Sequence, residues 1–322
     1  MRAIRVESPG GPEVLQLVEL PTPTAGAGQA LVRVEAAGVN FIDIYHRAGT
    51  YKVDLPFTAG QEGAGVVESI GPGVTEVVPG DRVAWAGPMG SYATHQLLPA
   101  AKLVRVPEGV DSRSAAAAML QGITAHYLIN DTVRLKAGDI ALIHAAAGGV
   151  GQLFCQLARR TGAHVIGTAG GPDKVELALK AGAHEAIDYK AADFEAEVKR
   201  LTGGKGVHVV YDSVGVDTFE KSLRCLRPRG MMVLFGASSG PVPPLDVQRL
   251  AAGGSLYLTR PTIGTYIASR EELLAHAGAV LGAVQRGELK LRLEEPMPLA
   301  QAGDAHRLLA SRKTTGKLLL IP

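Results

Sequence analysis

Three small residues stand at the spacing of a phosphate-binding loop in the segment HAAAGGVGQL (144–153). Ala146, Gly148 and Gly151 take the three glycine positions of the pattern G-x-G-x-x-G. In that pattern the chain turns tightly, exposes bare backbone to a pyrophosphate and packs a helix closely on a strand. Alanine is tolerated at the first position if its φ is negative. The spacing therefore predicts a dinucleotide site, and the alternative is a plain turn rich in small residues.

The segments around this loop favour the dinucleotide site over the plain turn. A continuous apolar run, IALIHAA (140–146), precedes the loop, as expected of a strand buried on both faces. A helical segment follows from Val150, and a second strand, AHVIGTA (163–169), comes at the expected distance. The free N–H groups and the positive dipole end of the helix would then face the phosphates.

The end of the second strand lacks the acidic residue with which NAD enzymes bind the ribose 2′-hydroxyl, about 20 residues after the loop. Residues 168–171 read TAGG there. An acid at this place would repel a 2′-phosphate, which needs cations and hydroxyl donors instead. Lys174 and Tyr189 can supply them. Asp173 could still reach a ribose, but beside Pro172 it is interpreted as a stabiliser of the helix N-terminus. The pattern favours NADPH over NADH.

The remaining sequence divides into a β-rich segment, an α/β segment and a helical tail. Up to about residue 110, alternating stretches such as ALVRVEAAGV (30–39) are separated by Pro/Gly turns, which is typical of a barrel or a sandwich. Strands and helices then alternate, which predicts a doubly wound parallel sheet with one helix over TFEKSLRCLRPRG (218–230). The tail is expected to pack on the first segment. We predict two domains, with the limits 1–120 plus 261–322, and 121–260.

Composition is that of an ordinary globular protein and narrows the possible partners. Of the 322 residues 46% are hydrophobic and 20% charged. The net charge of +2 does not indicate binding to nucleic acid or to an acidic membrane surface. No apolar run has the length of a signal peptide core or a membrane span, so a cytoplasmic location is expected. Cys155 and Cys225 have no cysteine or histidine neighbour at metal-ligand spacing, which excludes a structural zinc of the CxxC type.

Six segments, in order, resemble the quinone oxidoreductase branch of the medium-chain dehydrogenase/reductase superfamily, the relatives of zeta-crystallin. They run the length of the chain: NFIDIYHRAGTY (40–51), GQEGAGVV (60–67), PGDRV (79–83), HAAAGGVG (144–151), VYDSVG (210–215) and SRKTTGKLLLIP (311–322). The resemblance implies an α/β protein in which a doubly wound parallel Rossmann sheet is inserted into a GroES-like β-barrel catalytic domain. It also implies NADPH as the cofactor and a homo-oligomer, usually a dimer joined through the Rossmann sheets.

The resemblance also bears on metal content. Zinc-dependent members of the superfamily carry a cysteine ligand where this chain has Val39 and Asn40, and a histidine where it has Gln61. Their four-cysteine structural lobe has no counterpart in this sequence. Glu62 is present, but one carboxylate does not make a tetrahedral site that needs three protein ligands. No metal is therefore expected.

Individual roles follow from the same resemblance. The residues expected near the nicotinamide half of the cofactor are Asn40, Tyr45 and Thr124. Those expected at the pyrophosphate are Gly148, Gly149 and Val150, and Gly151 is a further expected cofactor-binding residue. Those expected around the 2′-phosphate are Lys174, Tyr189 and Arg312, and Thr168 and Gly170 are further expected cofactor-binding residues. Further cofactor contacts are expected at the carboxyl ends of two strands, from Ser213, Val214, Phe235, Gly236 and Ser238. Relatives often have a hydroxyl residue where this chain has Gly171, which has no side chain to contact a phosphate.

Asn40, Asp43 and Tyr51 are the candidate catalytic residues, and each has a structural alternative. Asn40 could cap a turn, and Tyr51 could be a surface aromatic residue. Asp43, at helical spacing from Asn40, is interpreted first as a structural hydrogen-bond acceptor. Arg312 without the resemblance would be a solvated surface charge. The candidate proton donors, in no order, are water, Tyr51 and the Asn40 amide.

The implied chemistry is hydride transfer from NADPH to an electron-poor acceptor, a quinone. The protein would orient the cofactor and stabilise negative charge that develops on the acceptor. Alcohol oxidation is disfavoured, because the sequence offers no ligand set for a Lewis acid. Two alternatives stay open: an NADPH-dependent enone or enoyl reductase, and a non-catalytic NADPH-binding protein of the crystallin kind.

Overall fold

The computed structural model describes all 322 residues and divides them into two units. The first unit comprises Met1–Ile123 and Tyr266–Pro322, and the second comprises Thr124–Thr265. The strands are β1 (Arg2–Val6), β2 (Gln16–Glu19), β3 (Gln29–Gly38), β4 (Phe57–Thr58), β5 (Glu62–Ile70), β6 (Arg82–Ala86), β7 (His95–Pro99), β8 (Val104–Arg105), β9 (Ile140–Ile143), β10 (His164–Ala169), β11 (Glu185–Asp188), β12 (Val207–Asp212), β13 (Leu226–Leu234), β14 (Tyr257–Thr259), β15 (Met297–Pro298) and β16 (Leu319–Ile321). The α-helices are α1 (Phe41–Arg47), α2 (Ser112–Tyr127), α3 (Gly149–Arg160), α4 (Pro172–Lys180), α5 (Phe194–Leu201), α6 (Phe219–Cys225), α7 (Gln248–Ala252), α8 (Ile263–Tyr266), α9 (Arg270–Gln285) and α10 (Ala302–Ala310).

The second unit is built on a six-stranded parallel sheet in the order β11-β10-β9-β12-β13-β14. This is the usual strand order of a Rossmann sheet, with the first strand of the unit at its centre. The apolar run predicted to be a strand buried on both faces is β9, in which Ala141, Leu142 and Ile143 have no exposed surface. Helices follow the strands in alternation, as the sequence pattern predicted, and the doubly wound fold is confirmed.

One predicted helix of this unit was too long. The segment 218–230 was expected to be helical throughout, but α6 ends at Cys225 and Leu226 already begins β13. Pro228 has no N–H to donate and would clash with the preceding turn of a helix. Arg229 then takes a left-handed φ of 60°. The register of β12 with β13 shifts at this point, so the irregular residues bulge out of the sheet.

The first unit is β-rich, as expected. Its larger sheet runs β15-β16-β3-β5-β6-β8, with β7 also paired to β3, and a smaller sheet runs β2-β1-β4. Alternation along β3 turns every second side chain toward a core that includes Ile4, Val32, Trp85, Tyr92, Leu98 and Leu320. The chain segment after residue 266 contributes β15 and β16 to the larger sheet, so the tail completes the first unit. No helix of either unit combines the length and apolarity needed to cross a membrane.

Candidate functional site

The glycine loop between β9 and α3 has the geometry that its spacing predicted. A positive φ of 53° falls on Ala145, so Ala146, at the first motif position, keeps a negative φ. A Cβ at Gly151 would lie 2.7 Å from the Cα of Ala146, so the helix packs this closely only because this residue is glycine. The Ala146 N–H donates to the carbonyl oxygen of Thr168 at 2.9 Å, which joins the loop to the end of β10.

The start of α3 collects the N–H groups that were expected to meet a phosphate. Gly148 is the N-cap, with extended φ and ψ of −80° and 175°. The first i to i−4 bond joins the N–H of Gln152 to the carbonyl oxygen of Gly148 at 2.9 Å. The N–H groups of residues 149–151 precede it and have no partner within the helix. Together with the positive dipole end, they form an arrangement suited to an anion.

Beyond β10, Gly170 lies under side chains from the end of β11. A Cβ at Gly170 would lie 2.5 Å from the hydroxyl oxygen of Tyr189 and 3.3 Å from Cε of Lys190. Burial lowers the pKa of Lys174, and the like charge of Lys190 lowers it further, so the two ammonium groups share one neighbourhood. We call Gly170, Lys174, Tyr189 and Lys190 the Gly170 cradle. It offers an anion two ammonium groups and one phenol.

Two residues of this region, Asp188 and Lys190, were missed by the sequence analysis. Oδ1 of Asp188 accepts the N–H of Gly171 at 2.9 Å and that of Lys190 at 3.0 Å, which fixes the backbone around the cradle. Gly171 has a φ of 104°, a conformation that side-chain-bearing residues rarely adopt. The signal that could have revealed both residues is their position at the carboxyl end of a parallel strand, where ligands of such sheets bind.

The Thr168 side chain is turned into the protein core. Its hydroxyl oxygen lies 2.9 Å from Nδ1 of His144, whose Nε2 lies 2.8 Å from Oγ of Ser222. Ser222 donates to the Asp212 carboxylate, so it accepts from Nε2–H and leaves Nδ1 to accept from Thr168. Burial lowers the pKa of His144, which favours the neutral imidazole that this hydrogen-bond chain requires. The contact of Thr168 with a cofactor stays a prediction.

Asp212 joins two loops that carry predicted cofactor contacts. Its Oδ1 accepts the N–H of Val214 at 2.7 Å, and its carbonyl oxygen accepts the N–H of Phe235 at 2.8 Å. The N–H of Ser238 donates to the carbonyl oxygen of Ser213 at 3.1 Å. The structure thus brings together, at the ends of β12 and β13, the predicted residues Ser213, Val214, Phe235, Gly236 and Ser238.

In the first unit, Asn40 and Asp43 form the start of α1. Oδ2 of Asp43 accepts the N–H of Asn40 at 2.8 Å and the hydroxyl of Tyr92 at 3.0 Å. Burial raises the pKa of Asp43 to about 7, although these two hydrogen bonds act in the opposite direction. Asp43 is therefore a hydrogen-bond acceptor for the Asn40 backbone and for Tyr92, and its catalytic role stays a prediction. The Tyr92 hydroxyl also lies 3.1 Å from Nε2 of His306, and burial lowers the pKa of that histidine to about 3.

The other predicted residues belong to α1 and the loop after it (Tyr45 and Tyr51), to the segment after α10 (Arg312) and to α2 (Thr124). Tyr45 and Tyr51 contact each other edge to face, with ring centroids 5.2 Å apart, and the Tyr51 N–H donates to the carbonyl oxygen of Tyr45. Tyr51 is half-buried, so it is not a freely solvated surface residue. Arg312 is exposed just after α10 and has a left-handed φ of 57°. Thr124, which begins the second unit, is buried in α2.

The Asn40 carboxamide lies between a carboxylate and an ammonium group. Its Nδ2 donates to Oε2 of Glu62 at 2.8 Å, and its Oδ1 accepts from Nζ of Lys317 at 2.7 Å. Lys317 and Glu62 form a salt bridge with side-chain exposures of 4% and 0%. No sequence pattern indicated a role for Lys317, because it lies 277 positions after Asn40 and no local pattern connects the two.

Comparison with known families defines the class of protein. Residues 26–108 match the family described as alcohol dehydrogenase GroES-like domain, and residues 149–277 match the one described as zinc-binding dehydrogenase. A GroES-like domain together with a Rossmann sheet is the architecture of the medium-chain dehydrogenases/reductases, and the expected fold class is confirmed.

Individual relatives narrow the class. A quinone oxidoreductase of Pseudomonas aeruginosa is 45% identical over 100% of this chain and 99% of its own length. A 2-haloacrylate reductase of a Burkholderia species is 42% identical over 98% of both chains. The crystal structure of Escherichia coli quinone oxidoreductase complexed with NADPH matches with a TM-score of 0.97 at 43% identity and covers 100% of both chains. The chain belongs to the quinone oxidoreductase family, as its motifs indicated.

Proposed function

We propose that this protein is an NADPH-dependent quinone oxidoreductase that works without a metal. The observation that carries the proposal is the full-length identity of 45% with a protein named quinone oxidoreductase. When bound, NADPH supplies a hydride, and a quinone that receives this hydride and one proton becomes a hydroquinone. The chain itself has to bind the cofactor, orient it and stabilise charge on the acceptor oxygen.

The Gly170 cradle supports NADPH as the cofactor. A 2′-phosphate placed there meets the ammonium groups of Lys174 and Lys190 and the hydroxyl of Tyr189, and Arg312 is proposed as a further cation. The bare backbone of Gly170 leaves the room that the side chains of Tyr189 and Lys190 occupy. The pyrophosphate is assigned to the start of α3, where only a glycine at position 151 permits the close packing. Residues of this chain therefore fit NADPH.

Asn40 is proposed as the group that stabilises negative charge on the acceptor oxygen, with Tyr45 and Thr124 against the nicotinamide. Asp43 holds the Asn40 backbone in place by accepting its N–H at the start of α1. The proposed proton donor is Tyr51 or water. A metal ion at Asn40 and Glu62 is disfavoured, because the Lys317 ammonium is bonded to both side chains and would repel a cation.

The test is an assay of NADPH oxidation, followed by absorbance at 340 nm, with 1,4-benzoquinone and 9,10-phenanthrenequinone as acceptors. We expect turnover with NADPH and much weaker activity with NADH. A flat trace with every quinone and enone, together with tight NADPH binding, would favour the non-catalytic alternative. Equal binding of NADH and NADPH would contradict the assignment of the cradle.

An enone reductase is the second candidate, and one specific observation favours it. The 2-haloacrylate reductase of Burkholderia is 42% identical to this chain, and its name denotes an acceptor with a conjugated double bond. Hydride addition to such an acceptor needs the same stabilisation of negative charge on oxygen. Comparison of kcat/KM for 2-cyclohexenone, 2-chloroacrylate and 1,4-benzoquinone in one preparation decides between the two.

A homodimer formed through the Rossmann sheets is also part of the proposal. Strand β14 is the edge of the parallel sheet and pairs only with β13, while Tyr257 and Leu258 on it are 57% and 38% exposed. An exposed apolar edge strand is a template for pairing with a second copy about a two-fold axis. Light scattering should give twice the chain mass for the wild type and for Leu274→Lys on α9, and a monomer for Tyr257→Lys. A monomeric wild type would refute this assignment.

The domain limits 1–120 plus 261–322, and 121–260, are proposed as limits of independent folding. They differ by a few residues from the units Met1–Ile123 plus Tyr266–Pro322, and Thr124–Thr265. A cytoplasmic location is proposed as well. Its support is that both cysteines are buried free thiols, as in proteins of a reducing compartment.

A further inference from the structure

We propose that Lys317 and Glu62 are positioning residues that hold the Asn40 carboxamide in one orientation, in which it acts only as a hydrogen-bond donor to the quinone oxygen. This inference rests on the proposed function, since it specifies how Asn40 stabilises charge on the acceptor. It concerns residues of the first unit alone.

The chemistry of the two partners determines the orientation of the amide. An ammonium group has only donors, so the atom 2.7 Å from Nζ of Lys317 has to be the amide oxygen of Asn40. An ionised carboxylate has only acceptors, so the atom 2.8 Å from Oε2 of Glu62 has to be the amide nitrogen. A flipped amide would place like against like on both sides, and both contacts would become repulsive.

The same contacts leave one hydrogen of the Asn40 amide for a ligand. Oδ1 accepts from Lys317 and lies 3.4 Å from Nε2 of Gln121, so both of its lone pairs face donors. One hydrogen of Nδ2 is on Glu62. The other is directed toward the carbonyl oxygen of Gly38, at an N···O distance of 3.4 Å that is too long for a strong hydrogen bond. The Gln121 contact of Oδ1 is equally long, so each end of the amide has one short and one long contact. A quinone oxygen is an acceptor only, so it can replace only the long contact of Nδ2 and receive its hydrogen.

The surrounding backbone is adapted to this arrangement. A Cβ at Gly38 would lie 2.7 Å from Cδ of Glu62 and 2.9 Å from Cε of Lys317, so the salt bridge closes only over a residue without a side chain. The second oxygen of Glu62 accepts the N–H of Leu120 at 2.5 Å, which prevents the carboxylate from rotating. Both charged side chains are almost completely buried, so water does not compete for them.

The orientation can be measured without turnover, because the chain has only two asparagines, Asn40 and Asn130. Selective ¹⁵N labelling of asparagine should give two pairs of side-chain amide resonances. We expect the two amide protons of Asn40 to have well separated chemical shifts and to exchange slowly with water. In Lys317→Met with Glu62→Gln, both chemical shifts should approach those of a solvent-exposed amide. The Asn130 pair serves as the internal reference, since its Nδ2 is bonded to the carbonyl oxygen of His126, away from the change.

Kinetics provide the second arm. In the neutral pair Lys317→Met with Glu62→Gln, kcat with 1,4-benzoquinone should fall about 100-fold, the loss that a misplacement of about 1 Å can cause. The Kd for NADPH should change less than about threefold. Asn40→Asp, which has the same size but no donor, should lose as much as Asn40→Ala. Adding Asn40→Ala to the neutral pair should cause little further loss, because coupled residues are not additive.

Two further variants keep the test decisive if the neutral pair folds poorly. Gly38→Ala preserves every charge and disturbs only the geometry, so it should shift the Asn40 resonances and lower kcat. Lys102→Met is the matched control, because Lys102 donates only to the backbone carbonyls of Ile267 and Ala268, and it should behave as wild type.

The outcomes separate this inference from the proposed function. The positioning role would be overturned by one combination of results. In it, the wild type is active, Asn40→Ala is slow, and the neutral pair has an unchanged kcat and unchanged Asn40 resonances. Additive losses for Asn40→Ala and the neutral pair would also overturn it, since they indicate a purely structural salt bridge. If the wild type reduces no acceptor, the proposed function fails, and the amide spectrum alone decides whether Lys317 and Glu62 orient Asn40.

Discussion

The hydroxyl oxygen of Tyr189 occupies the space that a side chain at Gly170 would need, 2.5 Å from where its Cβ would lie. Gly170, which follows β10, has no side chain, and the phenol of Tyr189 and the side chain of Lys190, which follow β11, lie over it. Since Lys174 contributes a second ammonium group from α4, this corner of the sheet is positive in spite of Asp188. Charge at this corner is therefore expected to distinguish NADPH from NADH.

Lys190→Ala should raise the Kd for NADPH about tenfold and leave that for NADH unchanged. A charge-assisted hydrogen bond to phosphate contributes roughly 1.5 kcal/mol, and NADH has no phosphate at this place. The affinity for NADPH should also depend less on salt in the variant. Fluorescence titrations at two ionic strengths measure both effects. Lys180→Ala is the control, because Lys180 lies on the same helix as Lys174 but pairs with Glu176. Equal losses for the two cofactors would contradict the assignment.

Gly151→Ala should destabilise the protein by about 1–3 kcal/mol and weaken NADPH binding. Its Cβ would meet the backbone of Ala146, which cannot move without displacing α3 from the loop. Gly278→Ala is the opposite case, since that glycine lies exposed in α9 with open space around it, and the change should stabilise by about 0.5–1 kcal/mol. Urea unfolding measures both. A Gly151→Ala protein of wild-type stability would show that the close packing is not required.

Arg312→Gly should stabilise the fold by up to about 1 kcal/mol and yet weaken NADPH binding. A left-handed φ costs a side-chain-bearing residue about 1–2 kcal/mol, and the greater chain entropy of glycine offsets part of the gain. Ser255→Gly, with a φ of 59°, should give the same stabilisation without an effect on NADPH. Thermal unfolding and NADPH titration of both variants provide the comparison. If Arg312→Gly binds NADPH as wild type does, Arg312 is only a surface charge.

Asp43 and His306 should contribute to the free energy of unfolding with opposite dependence on pH. The pKa of Asp43 is raised to about 7 by burial, so its contribution is fully present below its unfolded pKa of about 4 and is lost as the pH rises toward 7. The pKa of His306 is lowered to about 3, so its contribution is present above about 6.5 and is lost as the pH falls. Between about pH 4 and 6.5 the two slopes largely cancel.

Asp43→Asn should expose the uncompensated His306 slope. Asparagine keeps an oxygen for the N–H of Asn40 and the hydroxyl of Tyr92 but cannot ionise. The free energy of unfolding of the variant minus that of the wild type should therefore rise by about 1.4 kcal/mol per pH unit between pH 4.5 and 6.5. Urea denaturation at three pH values measures the difference. Asp304→Asn, at an exposed position of α10, is the control, and a pH slope for Asp43→Asn no steeper than that for Asp304→Asn would refute the buried titration.

The sequence by itself determined the architecture of the second unit and the position of its glycine loop. Glycine spacing and the periodicity of apolar residues act within one or two neighbouring elements, so they can be read along the chain. The requirement for glycine at position 151 and the absence of an acid at residues 168–171 are of this local kind. The overlong helix at 218–230 was also a local error, because the helical pattern was followed through Pro228 into a strand.

Only the tertiary structure decided which side chains meet. Asn40 is bonded to partners 22 and 277 positions away, and its orientation follows from the pairing of β3 with β5 and β16. Thr168 was predicted from its place at a strand end, but whether its hydroxyl faces a ligand or His144 depends on rotation about one side-chain bond. The pKa of Asp43 depends on desolvation, which exists only once the chain has closed around it. Hydrogen-bond partners and burial are set by which strands become neighbours, and one linear sequence does not state that.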